Sequence, residues 1–220
     1  MIRLHVVDRP GRFTYADALA QHHALRRAAA EEGGCRALRA VDAAGRDRFD
    51  TEATRYLLAI DGEGQVAGGT RLLPADRPTP LSEVFPHLAD IRGFAREPGT
   101  WECTLFFVSP RFRENRPPSR VAGIVAAGLI EHCLDQGIPQ LNFVAETYWI
   151  PHMAEIGWRP RPLGLPVAET GVSLCAVTIA MTEEALEETR AAYGLVAPVL
   201  AHPRRSIPPD RARPGRGLSA

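Results

Sequence analysis

The sequence predicts an α/β protein: a mixed, twisted β-sheet covered by helices. Three observations predict it. Two apolar stretches, residues 56–60 and 65–73, flank Asp61-Gly62-Glu63-Gly64, which has the composition of a hairpin turn. An unbroken apolar run, residues 105–108, stops at Ser109-Pro110 and reads as a buried central strand. A strongly helical stretch, residues 120–136, joins that strand to another at 140–145, giving a strand–helix–strand unit.

The elements follow in order. Residues 2–7 alternate enough for a short strand. Residues 15–30 are rich in Ala, Leu and Arg, with helical spacing through Leu19, His22 and Leu25, and Gly33-Gly34 ends them. Residues 35–49 have no periodicity and read as a loop. Gly68-Gly69 interrupts the second hairpin strand, the sign of a bulge or a close backbone approach. Residues 74–98 are Pro-rich and irregular, with one helical turn at 81–85. Pro117-Pro118-Ser119 caps the helix at 120–136. Val121, Ile124, Val125, Gly128, Leu129, His132 and Cys133 share one face of it, and Gly137 stops it. A short helix at 151–156, a strand at 172–181 and a helix at 183–193 capped by Thr182 follow. The expected organisation is a single domain over 1–201 and a disordered basic Pro/Arg tail over 202–220.

Composition excludes several classes. The 220 residues are 45% hydrophobic and 24% charged, enough for one full core. Lys and Arg total 26 and Asp and Glu total 26, so no global field draws the chain to nucleic acid or a membrane. Cys35, Cys103, Cys133 and Cys175 are scattered and read as core residues rather than zinc ligands or disulfides. His22, His132 and His152 stand apart from other metal ligands, so no metal is expected. Arg3, His5 and Asp8 lie where a signal peptide needs an apolar core, and the longest apolar run, residues 121–130, is too short to span a bilayer. The expected location is the cytoplasm.

Two features carry chemistry. Glu102 follows an indole, Trp101, at the mouth of the central strand, and nothing apolar nearby can neutralise it. A carboxylate beside an apolar strand and an indole has a raised pKa, which suits a general base. The alternative is an ion pair with one of the arginines. After the strand come Arg111, Arg113, Arg116 and Arg120, then the long helix. Strand, basic loop and helix together suit an anionic ligand, and a solvated charge run is the competing reading.

Ordered stretches then resemble the acyl-homoserine-lactone synthases, or autoinducer synthases. They are Leu25-Arg26; Asp47-Arg48-Phe49-Asp50 followed by Tyr56-Leu57; Gly68-Gly69-Thr70-Arg71-Leu72-Leu73; Phe85-Pro86; and Trp101-Glu102. Weaker similarity continues through Gly157-Trp158 and Arg161-Pro162-Leu163-Gly164. The resemblance implies a GNAT-like three-layer sandwich and an acyltransferase of quorum-sensing signal synthesis. It implies two substrates, S-adenosylmethionine and an acyl thioester on acyl carrier protein or CoA, and no further cofactor. Family members acylate the amine, close a lactone and release methylthioadenosine. Carried over, Glu102 is catalytic, and Arg26, Asp47, Asp50, Arg71, Phe85, Trp101 and Thr104 bind the amine substrate. A zwitterionic amine needs a cation for its carboxylate and acids for its positive centres, which two Arg and two Asp supply; a surface salt-bridge network is the bland reading.

On the donor side, Val108-Ser109-Pro110-Arg111-Phe112-Arg113 resembles the GNAT pattern Val-x-Pro-x-x-Arg leading into a helix. Arg111, Arg113, Arg116 and Arg120 are thus expected to bind the donor. Pro117 and Pro118 remove backbone donors that compact phosphates prefer, which favours a carrier protein's diffuse acidic face over CoA. Phe143, Tyr148, Trp149, Met153 and Trp158 form an acyl tunnel or, alternatively, ordinary core. The sequence departs from the family pattern at Leu105, where an Arg is usual, and at Ala30, Arg36 and Gly45. The resemblance implies that these positions belong to the pocket the family uses for the methionine and adenosine parts. Two alternatives therefore stand: a GNAT-fold N-acyltransferase acting on another amine such as an amino acid, and a non-catalytic binder of acyl ligands or carrier protein.

Overall fold

The structure, a computed structural model, describes residues 1–31, 41–114, 118–169 and 171–201. The strands are β1 (Arg3–Val7), β2 (Arg55–Ile60), β3 (Val66–Pro74), β4 (Trp101–Val108), β5 (Gln140–Glu146), β6 (Arg161–Pro162), β7 (Val167–Glu169) and β8 (Val172–Ala180). The helices are α1 (Ala16–Glu31), α2 (Pro80–Glu83), α3 (Arg120–Asp135), α4 (Trp149–Glu155) and α5 (Glu183–Ala192). The strands form one sheet in the order β1-β2-β3-β4-β5-β8-β6, with β7 also on β8. The β4–β5 pair is parallel, because α3 crosses over between them; the other pairs are antiparallel.

Strand alternation sorts the core into two faces. Leu57 and Ala59 on β2, Cys103 on β4, Leu141 and Phe143 on β5, and Cys175, Val177 and Ile179 on β8 pack under α3 and α5. Tyr56, Leu58 and Ile60 face the other way, against Ala18 and Leu19 of α1. Leu174 and Ala176 share that second face and pack against Leu81, Phe85 and Leu88. The result is helix, sheet, helix: the expected mixed sheet in three layers.

Local chemistry explains the element ends. Ser119 caps α3 by accepting the N–H of Ala122, and Gly137, at φ +63°, ends it. Thr182 caps α5 in the same way. Gly68 and Gly69 are required by close approach: a Cβ there would lie 2.7 Å from the Phe107 carbonyl oxygen and 2.6 Å from that of Leu57.

The structure corrects several expectations. The run 105–108 is not a buried strand interior; its residues are half-buried, and Phe106 is 41% exposed. The reason is a bulge in β4. Gly69 pairs Phe107 and Arg71 pairs Thr104, so Leu105 and Phe106 together oppose Thr70, with Leu105 at φ +57°. The short helix begins at Trp149 rather than 151, and β6 and β7, too short to show periodicity, were not expected. Gly33-Gly34, Cys35 and the tail 202–220 lie outside the described residues. Cys103, Cys133 and Cys175 are free and buried. Among the described residues, no helix is long and apolar enough to cross a membrane, and no cluster of His, Cys, Asp and Glu could hold a metal.

Candidate active site

β4 and β5 pair only at Trp101–Leu141, Glu102–Asn142 and Cys103–Phe143. Beyond Cys103 the bulge turns β4 away, and a cleft of about 500 Å³ opens there. Residues of both sheet faces line it. On the α1 face are His22, Leu25, Arg26, Arg71, Glu102 and Thr104; on the α3 face are Ala122, Ala126, Phe143, Met153, Trp158 and Tyr193. The half-buried segment 105–108 forms a wall. The cleft thus passes through the plane of the sheet, with a polar side and an apolar side.

Glu102 stands on the polar side, 1% exposed. Both carboxylate oxygens face the backbone N–H of Leu81 in α2, at 3.1 and 3.3 Å. Burial pushes its carboxyl up to about 7; hydrogen bonds from Thr79 and from Leu81, and the charge of Arg71, pull the other way without prevailing. No ion pair engages it among the described residues, because Arg71 is committed elsewhere. A carboxyl that titrates near neutrality, inside a cleft, can take a proton from an ammonium. Trp101 is not its neighbour: successive strand residues point to opposite faces. The indole packs against the α3-side core and lies 4.3 Å under the Arg55 guanidinium, off the cleft lining. Glu102 is buried on the second face instead, where α2 meets it.

Arg26, Asp47, Asp50 and Arg71 are brought together, and the side chains of all four are buried. Arg26 gives Nη1 to Asp50 at 2.6 Å and Nη2 to Asp47 at 2.7 Å. Arg71 gives Nη1 to both aspartates at 2.8 Å and Nε to Thr104 Oγ1 at 3.0 Å. The Tyr56 hydroxyl donates to Asp50 at 2.8 Å. Burial works against the Asp50 charge, but Arg71 and Arg26 outweigh it and hold the carboxyl far below the usual carboxylate range. This is neither a surface network nor a set of free charges. The two cations and two anions neutralise one another, and Arg26 and Arg71 present the floor of the cleft.

The remaining expected residues divide. Phe85, buried beneath the second face, lines the cleft. Phe143 lines it from β5, 5.6 Å from the Trp158 ring; Met153 and the half-exposed Trp149 line it from α4. Arg111, Arg113 and Arg120 are exposed beside the rim, near the lining residues Pro110 and Ala122; Arg111 donates to Gln65. Arg116 falls outside the described residues.

Sequence reasoning missed Thr79, Leu81 and Tyr193. Thr79-Pro80-Leu81-Ser82 is a capping box with Pro at the first helical position, a signal present in the sequence. Tyr193 carries no comparable signal. It reaches the cleft because Gly123 lets its ring lie against α3, and its hydroxyl meets His152 Nε2 at 3.0 Å.

Comparison with known proteins gives one consistent answer. Residues 13–189 match the family model described as autoinducer synthase. The isovaleryl-homoserine lactone synthase of Bradyrhizobium diazoefficiens is 38% identical over 185 residues, covering 84% of this chain and 82% of that one. The solved structure of the CoA-dependent acyl-homoserine lactone synthase BjaI with SAM and isopentyl-CoA is 35% identical, with a TM-score of 0.82 over 93% of this chain and 95% of that one. In fold alone, a putative N-acetyltransferase from Lactobacillus plantarum is similar at 16% identity and TM-score 0.53, over 82% of this chain and 99% of that one.

Proposed function

This chain belongs to the autoinducer synthase family, and we propose that it moves an acyl group from a CoA thioester to the amine of S-adenosylmethionine, closes the homoserine lactone and releases methylthioadenosine. The observation that carries the reading is Glu102: a buried carboxyl titrating at about 7, on the polar side of a cleft that crosses the sheet. The substrate ammonium gives its proton to Glu102, directly or through a water. The freed amine forms a C–N bond at the thioester carbonyl, the C–S bond breaks, and the thiol leaves with a proton. The substrate carboxylate then attacks the carbon bearing the sulfonium; that C–S bond breaks and methylthioadenosine departs.

Arg26, Arg71 and Thr104 line the amine side, with Phe85 beside them, while Asp47 and Asp50, expected to touch the amine, do not line the cleft and instead hold the two arginines. Phe143, Trp149 and Met153 take the acyl chain. CoA is preferred over carrier protein because the BjaI structure, similar over nearly the whole of both chains, is of a CoA-dependent synthase. The leaning to carrier protein drawn from Pro117 and Pro118 gives way to that similarity. Three buried free cysteines agree with a reducing compartment, the cytoplasm.

One observation favours a second reading, an N-acyltransferase for another amine: Leu105 stands where the family pattern has an Arg, and Arg26 and Arg71 are already neutralised. Incubating the purified chain with a series of acyl-CoAs, in the presence of S-adenosylmethionine and a mixture of free amino acids, then analysing by mass spectrometry, separates the two. An N-acyl lactone together with methylthioadenosine is expected; an N-acyl amino acid without methylthioadenosine would establish the second reading.

A further inference from the structure

His22 lies on α1 four residues before Arg26, so the two share a helix face, and both line the cleft. Its ring is wholly buried. It meets Tyr56 edge-on at 5.3 Å, and Phe107 and His23 at 5.4 and 5.2 Å between ring centres. These are ring contacts that satisfy no nitrogen. Among the described residues neither Nδ1 nor Nε2 has a hydrogen-bond partner. A phenylalanine would fill the same aromatic niche without leaving a buried donor and acceptor unpaired. Burial, followed by His23, Arg26 and Arg71, holds the imidazole pKa well below its ordinary value, against the pull of Asp50. The ring therefore stays neutral near pH 7 and offers one N–H donor and one nitrogen acceptor.

We propose that His22 is a binding residue for the amine substrate, making a hydrogen bond to it from the α1 side of the cleft. The inference rests on the S-adenosylmethionine reading above. The amine, rather than the acyl donor, is the partner because His22 shares its face of the sheet with Arg26, Arg71 and Glu102, while the acyl lobe lies across the sheet under α3 and α4. The ring nitrogens are closed off from bulk water, so the substrate reaches them with an adjustment of the wall. The half-buried Phe107 is the adjacent cleft-lining ring.

The test is calorimetry of S-adenosylmethionine and of methylthioadenosine on wild type, His22→Phe and His22→Asn, with steady-state kinetics and thermal melts. His22→Phe keeps the aromatic packing and removes both polar atoms. Its Tm should be unchanged or higher, its Kd for S-adenosylmethionine should rise about tenfold, as for one lost hydrogen bond, and its KM for acyl-CoA should stay put. His22→Asn, which keeps a donor and an acceptor, should recover part of the affinity. Equal weakening of methylthioadenosine assigns the bond to the nucleoside part; weakening of S-adenosylmethionine alone assigns it to the amino-acid part. A folded His22→Phe that binds S-adenosylmethionine as wild type does overturns the proposal. Should that variant not fold, ¹⁵N-histidine spectra of the wild type decide: an imidazole resonance must move on saturation, and six unmoved described histidines would overturn it. A wild type that binds neither ligand refutes the amine reading itself, and this inference with it.

Discussion

Glu102 holds the backbone N–H of Leu81 between its two carboxylate oxygens, at 3.1 and 3.3 Å. That single donor, with Thr79, fixes the carboxyl in the cleft but is too little to offset its burial, and the group titrates at about 7. A base must be ionised to accept a proton. Turnover should therefore be low under acid conditions, rise as pH passes through about 7, and level off above. Glu102→Gln keeps shape and the Leu81 contact while removing the base, so turnover should fall by about 10²–10⁴ and the rising limb should vanish. A folded variant with near-normal turnover would leave Glu102 with a structural role only.

The same shift has a consequence for stability, of opposite sense to the usual carboxylate. Glu102 binds its proton more tightly folded than unfolded, since burial raises its pKa from 4.5 to about 7. Its contribution is full below about pH 4.5 and fades as pH climbs through 7. Gln cannot ionise and escapes that loss. The Tm of Glu102→Gln, relative to wild type, should thus increase between pH 5 and pH 8.5, with about 4.5 to 7 as the window of change. A difference in Tm that stays flat or shrinks over that range would contradict the burial argument.

The buried tetrad behaves in the ordinary direction. Asp50 is held far below its unfolded value because Arg71 and Arg26 overcome its burial. The stability it lends is present above about pH 4 and is lost as pH falls below the unfolded value toward the folded one. Asp50→Asn removes one anion and leaves two buried guanidinium groups facing Asp47 alone. The expected cost at pH 7 is about 3–5 kcal/mol in urea unfolding, and the gap to wild type should narrow on acidification. A cost under about 1 kcal/mol would be that of an exposed pair and would refute the tetrad's burial.

How much of this was legible depends on where the signal lies. α3 was readable because everything needed is local: Ser119 as cap, a continuous apolar face and Gly137 as stop. The hairpin of β2 and β3 was readable from its turn and its two glycines. The neighbourhood of Glu102 was not, because Leu81 reaches it from twenty-one residues earlier through tertiary packing. Trp101 was misplaced by adjacency in sequence, although the period of two in a strand puts it on the other face. The bulge at Leu105 had no local warning, since an unbroken apolar run looks the same whether it is buried or walls a cleft. The motif residues Arg26, Asp47, Asp50 and Arg71 were named from resemblance; that they bond one another in a closed set is a fact of the folded chain alone.

The donor loop yields the last prediction. Arg120 is exposed at the start of α3, where its N–H is taken by the Glu114 carboxylate at 2.6 Å, and Arg113 is exposed at the end of the short turn after β4, so the side chains rather than the helix end are free for an anion. They stand outside the cleft, next to the lining residues Pro110 and Ala122, which is where the charged end of a donor must lie if its acyl end is among Phe143, Trp149 and Met153. CoA carries compact phosphates, and long exposed arginines can grip them without any backbone donor from Pro117 or Pro118. Reversing both charges, Arg113→Glu with Arg120→Glu, should raise KM for acyl-CoA while leaving the Kd for S-adenosylmethionine unchanged. Because both groups are solvent-exposed, the penalty should shrink as salt approaches about 0.5 M, where exposed charges are screened within a few ångströms. The wild type should turn over acyl-CoA with no carrier protein added. Turnover seen only with an acylated carrier protein would sink the CoA assignment, and a KM untouched by the double reversal at low salt would place the donor's phosphates elsewhere on the surface.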